Sequence, residues 1–142
     1  MSTFLKSLPV SLLILLFVYA AASKLLNFGD FRGQLNSQVF STADAGVLVY
    51  VLPAAELIVA LLLLFPRTMA AGLQLSLALL VLFSGYIALA LLHFWQHVPC
   101  PCGGILSRMP WPVHLALNLL FICLNITAII IQQKERRAVT HP

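Results

Sequence analysis

Charge is what this chain has least of. Of 142 residues only 8% are charged, four of them acidic and eight basic. Soluble domains carry about 25% charged residues, so these side chains cannot build a polar coat, and part of the solvent must be lipid. Cysteine is also scarce, at three residues, which excludes a disulfide-stapled scaffold. There is no internal repeat, no low-complexity tract and no domain boundary. Nucleotide-, haem- and phosphate-binding motifs are missing, as is any soluble catalytic domain. The pI near 9.3 is not read as a nucleic-acid signal, because the basic residues stand at segment ends and in connections, where they set membrane orientation.

What is abundant is apolar sequence, 61% of the chain, with a mean hydropathy of +1.01. A hydrocarbon core of about 30 Å needs roughly 20 apolar residues in helical form. Four runs meet that length, at about 8–28, 47–65, 69–93 and 113–132. The expected fold is all-α: an integral membrane four-helix bundle in a single transmembrane domain, with a short outer-surface segment between helices 1 and 2. The first run has a basic start at Lys6 and a signal-like Ala20-Ala21-Ala22, but it is long enough to span and is read as an uncleaved first helix. Lys6, Arg67, Lys134, Arg136 and Arg137 fall on one side, against Arg32, Arg108 and Lys24 on the other, which predicts both termini in the cytoplasm. Pro66-Arg67-Thr68 is a tight inner turn. The connections at about 29–46 and 94–112 then face outward. In the first of these, Phe31, Leu35 and Val39 recur at helical spacing, as in a short surface helix.

The second outer connection carries the chemistry. It reads His97-Val98-Pro99-Cys100-Pro101-Cys102-Gly103-Gly104. Cysteines one residue apart come within disulfide range, but so small a ring restricts the bond, and strained or exposed disulfides are the labile, catalytic ones. Pro99 and Pro101 hold the backbone extended, and the glycines leave a sulfur accessible. A bridge across so short a loop removes little unfolded-chain entropy, which argues against a simple brace. Metal binding is a further alternative, because His93 and His97 lie one helical turn apart and would complete a Cys₂His₂ set. Its spacing is not that of a standard finger. Cys123, inside an apolar run, is expected to be a packing thiol.

Polar residues inside the spans form a second cluster. Glu56 lies near the middle of the second run, where a carboxylate is expensive unless paired. Lys24, near the outer end of the first, is placed either to reach Glu56 or to snorkel outward. His114, Asn118 and Asn125 fall on one stripe of the fourth run; Tyr19, Ser23 and Asn27 make a looser stripe on the first. These groups converge below the cysteine loop. Helix packing through interhelical hydrogen bonds explains such a cluster, and so does a proton or substrate site. Trp95 and Trp111 are read as interfacial anchors.

Three features together resemble a known family: Ala22-Ser23-Lys24-Leu25 ending the first helix, Pro53-Ala54-Ala55-Glu56-Leu57 in the second, and Cys100-Pro101-Cys102-Gly103 before the last. With the four-span architecture they are similar to the MauE (methylamine utilisation) branch of the DoxX-like membrane proteins. The resemblance implies a place in the bacterial inner (cytoplasmic) membrane and Cys100 and Cys102 as a redox pair. It also implies a periplasmic thioredoxin-like or disulfide-bearing partner. DoxX relatives are linked to quinone-coupled sulfur oxidation, which points to a quinone as electron acceptor, although no quinone motif is legible in the residues. The expected function is thiol–disulfide redox chemistry, with Cys100 and Cys102 as the working pair, His114 assisting proton transfer, and Lys24, Glu56 and Asn118 as an intramembrane polar site. The rival readings are a small transporter or metal-handling protein centred on Glu56, and a non-catalytic assembly factor.

Overall fold

The four apolar runs are helices, and a fifth, shorter helix lies between the first two. The structure, a computed structural model, describes residues 3–36, 42–92 and 110–140. In chain order, α1 spans Thr3–Leu26, α2 Phe28–Asn36, α3 Thr42–Leu64, α4 Met69–Leu91 and α5 Trp111–Thr140. No strand occurs among the described residues. Helices α1, α3, α4 and α5 are each long and apolar enough to cross a membrane. The chain is therefore a multi-pass, all-α membrane protein.

Each long helix packs against its neighbour in sequence, and α5 returns to α1, closing a four-helix ring. The solvent logic is inverted relative to a soluble bundle. Leu57, Ile58 and Leu61 of α3 and Val81 and Leu82 of α4 are exposed, whereas Glu56, Ser76, Asn118 and Asn125 are buried. Hydrocarbon solvates aliphatic side chains as well as the protein interior does, so the polar groups turn inward, where they find partners. The apolar core, built on Leu13, Phe17, Val59, Leu63, Leu73, Leu80 and Ala128, fills the half of the bundle near the α3–α4 turn.

That turn shows why the helices stop where they do. In an α-helix the Leu62 carbonyl would accept from the N–H of residue 66, and Pro66 has none. The Thr68 hydroxyl donates to that carbonyl instead, at 2.8 Å. The Thr68 N–H donates to the Phe65 carbonyl at 3.1 Å, and the Gly72 N–H to the Thr68 carbonyl at 2.9 Å. The two helices then leave the turn in close contact: a Cβ on Gly72 would stand 3.0 Å from the Leu63 backbone nitrogen.

Helix bounds differ from the apolar runs in informative ways. α1 ends at Leu26, where Asn27 interrupts it: the Asn27 side-chain amide and backbone N–H both donate to the Ser23 carbonyl, each at 3.2 Å. A short polar side chain of this kind competes with the helix ladder. α2 therefore starts at Phe28, with Phe31 and Leu35 buried against Ala45 and Val49 of α3; Val39 lies outside the described residues. α5 continues past its apolar stretch to Thr140 because Gln, Lys, Glu, Arg and Ala are good helix formers, and Lys6 of α1 meets Glu135 at 3.0 Å there. Gly72→Ala is expected to lower the thermal stability of the detergent-solubilised protein by several degrees. Gly85→Ala, whose added Cβ meets nothing within 4 Å among the described residues, is expected to leave it unchanged or slightly raised.

Candidate functional site

Pro53 and Glu56 lie one turn apart on the inward face of α3, and both are buried. Facing them from the last turn of α1 is Lys24, whose ammonium donates to Glu56 Oε1 at 2.9 Å. Its side chain reaches inward rather than snorkelling. A further contact runs to the Ala20 carbonyl at 3.4 Å, and the ammonium sits 5.8 Å from the centroid of the Phe31 ring, within cation–π range. Phe31 belongs to α2, so the short helix covers the cation from above. The pair is sequestered: Lys24 is 7% exposed and Glu56 2%. Glu56 Oε2 has no hydrogen-bond partner among the described residues.

The pair borders a cavity of about 120 Å³ to which all four long helices contribute. α1 supplies Phe17, Ala20 and Lys24, and α3 supplies Leu52 and Glu56. α4 adds Leu80, Phe83, Tyr86 and Ile87, and α5 adds Trp111, His114 and Asn118. The Tyr86 and Trp111 rings meet at 6.3 Å with a tilt of 52°, a favoured aromatic geometry that ties α4 to α5. Trp111 is thus half-buried cavity wall as well as an end-of-helix aromatic. His114 Nδ1 is a second buried polar atom without a partner among the described residues. The structure therefore brings Lys24, Glu56, His114 and Asn118 together around one space.

Other polar residues are placed elsewhere. Asn125 is fully buried but lies away from the cavity, hydrogen-bonded to Ser76 of α4. With its amide oriented to satisfy both ends, its nitrogen donates to the Leu73 carbonyl at 3.2 Å and its oxygen accepts from the Ser76 hydroxyl. The stripe on α1 is satisfied within its own helix: Ser23 donates to the Tyr19 carbonyl at 3.0 Å and Asn27 to the Ser23 carbonyl. Cys123, expected in the core, is exposed on the outer face of α5, because Asn125 and Ala128 take the inward positions there. Cys100 and Cys102 lie outside the described residues, as do His93, Trp95, His97 and Arg108. Sequence reasoning missed Ser76, the Tyr86–Trp111 contact and the role of Phe31. The four-residue spacing of Gly72, Ser76, Leu80 and Ser84 was the available signal for an inward α4 face.

Removing one partner of the ion pair leaves an uncompensated buried charge, whereas replacing both by apolar groups of similar size does not. Lys24→Met alone is therefore expected to destabilise the folded protein by about 3 kcal/mol. The double variant Lys24→Met, Glu56→Leu should fold with stability close to the parent. Denaturation in mixed micelles, followed by circular dichroism, checks both.

Comparison with known proteins assigns the family. Searches of curated proteins and of solved structures find no match. The profile of the family described as "Methylamine utilisation protein MauE" matches residues 1–131, which takes in α1 to α4, the Cys-Pro-Cys connection and α5 as far as residue 131. With Lys24 closing α1 and Glu56 behind Pro53 in α3, this chain belongs to the MauE family.

Proposed function

We propose that the protein is a membrane thiol–disulfide redox component in which Cys100 and Cys102 are the working pair. The observation that carries the reading is the Cys100-Pro101-Cys102-Gly103 sequence in the α4–α5 connection. That connection leaves α4 at the end of the bundle where α2 lies and re-enters at Trp111, beside the polar cavity. The basic residues support an orientation with both termini in the cytoplasm, which puts this end in the periplasm of a bacterial inner membrane, a compartment where disulfides persist.

In this reading a partner thiolate attacks one sulfur of the Cys100–Cys102 bond. A mixed disulfide forms and the other sulfur leaves as a thiolate. The partner's second thiolate then attacks the mixed disulfide and departs oxidised. Two electrons and two protons have passed to the Cys100–Cys102 pair. The partner is a periplasmic thioredoxin-like or disulfide-bearing protein. A lipid-soluble carrier of the quinone class is the proposed acceptor that reoxidises the pair. His114, in the first turn of α5, is the proposed proton-handling group.

A second reading, a small transporter centred on Glu56, draws on one specific observation: a buried carboxylate beside a cavity, with one oxygen that has no partner among the described residues. Mutation separates the two. Cys100→Ser with Cys102→Ser is expected to abolish oxidation of a model periplasmic dithiol by membranes carrying the protein, while the Lys24→Met, Glu56→Leu variant, which keeps no uncompensated charge, retains it. Loss of function in the folded Lys24→Met, Glu56→Leu variant with the cysteine variant intact would select the transporter. In the parent protein, thiol trapping with a mass tag across a glutathione titration is expected to show a reversible bridge with a potential above about −300 mV. Thiols that never bridge would end the redox proposal.

A further inference from the structure

Beyond the cysteine chemistry, and independent of it, the cavity between the four helices has the character of a binding site for an identifiable class of small molecule. Its size comes first. At about 120 Å³ it is close to the engineered apolar cavity of about 150 Å³ that holds a benzene ring in another protein. A single six-membered ring matches that space. The walls come next. Phe17, Phe83, Tyr86 and Trp111 border the space, and flat aromatic surfaces favour a planar guest.

Charge narrows the class further. The Lys24 ammonium and the Glu56 carboxylate, 2.9 Å apart, neutralise one another. Among the described residues no other acidic, Lys or Arg side chain lines the cavity, and against these walls a charged guest would be left uncompensated in a low-dielectric interior. The guest is therefore neutral. Hydrogen bonding then sets its functional group. Glu56 is 2% exposed and its Oε2 has no partner among the described residues. A carboxylate oxygen in that position accepts and cannot donate. It calls for an O–H or N–H on the guest. His114 Nδ1, also without a partner among the described residues, offers a second polar contact.

We propose that this cavity binds a neutral, single-ring hydroxy-aromatic compound of the phenol class, its hydroxyl donating to Glu56 Oε2 and its ring held among the aromatic walls. A hydrogen bond to an ionised acceptor is roughly twice as strong as a neutral one, so the hydroxyl should dominate selectivity.

The test compares 4-fluorophenol with 4-fluorotoluene, a probe of nearly the same size that carries a methyl group where the first carries the donor. Binding to the full chain in lipid nanodiscs is followed by fluorine NMR, with empty nanodiscs correcting for partition into lipid. The parent is expected to bind 4-fluorophenol at least about tenfold more tightly than 4-fluorotoluene. The Lys24→Met, Glu56→Leu variant should lose that preference. Ala20→Leu, which projects an isobutyl group into the cavity from α1, should weaken both probes and needs no change to the ion pair. If the double variant does not fold, the parent comparison and Ala20→Leu still decide the matter. Equal binding of the two probes to the parent overturns the proposal. So does a preference that survives in the double variant, or binding that Ala20→Leu leaves untouched.

Discussion

Hydrocarbon supplies no hydrogen-bond partner, and the arrangement of this bundle follows from that constraint. Each polar group inside the spans must be matched by another part of the chain. Lys24 and Glu56 match across α1 and α3, and Asn125 and Ser76 match across α5 and α4. The Leu62 carbonyl, orphaned by Pro66, is matched by the Thr68 hydroxyl. The atoms that stay unmatched among the described residues are Glu56 Oε2, Ser84 Oγ and His114 Nδ1. Glu56 and His114 border the same cavity. Polar atoms without partners in such a medium are costly to keep, and the two that meet at this space are the ground on which it is proposed as a site.

The two ends of the bundle divide the labour. Near the α3–α4 turn the helices approach closely at Gly72, and aliphatic residues fill the interior. That half is built for cohesion. Toward the α2 end the interior opens, aromatic rings join aliphatic side chains along the cavity, and the ion pair lies under Phe31. α2 does more than connect two spans: Phe31 and Leu35 seat it on α3, and the same Phe31 shields Lys24. A closely packed base below a partly open upper half would hold the proposed site in a fixed geometry.

Much of this was legible in the residues alone. Four apolar runs give four spans because the hydrocarbon thickness sets a minimum length for any crossing helix. Phe31 and Leu35 announced a short helix by their spacing. Lys24 and Glu56 stood out because charges are expensive in a span, and a nearby opposite charge is the cheapest remedy. Cys123 was misplaced because an apolar neighbourhood in sequence does not say whether a residue faces core or lipid when both are apolar. The same ambiguity hid Ser76 and Ser84, which carry too little polarity to be conspicuous. Helix ends were read from hydropathy, yet α5 runs eight residues beyond its apolar stretch (from 132 to Thr140), since backbone hydrogen bonding does not stop where lipid does.

The sequence by itself determined the class of solvent, the number of spans and the presence of a cysteine pair in one connection, because these depend on composition and spacing along the chain. Only the tertiary structure decided that Lys24 turns inward to Glu56. It also decided that Asn125 leaves the polar cluster for Ser76, and that His114 and Trp111 share a cavity with residues of three other helices. Those facts depend on the rotation of each helix about its axis. In a bundle apolar on its outer face, that rotation is set by how buried polar groups and small residues meet across helices, a relation that no single segment contains.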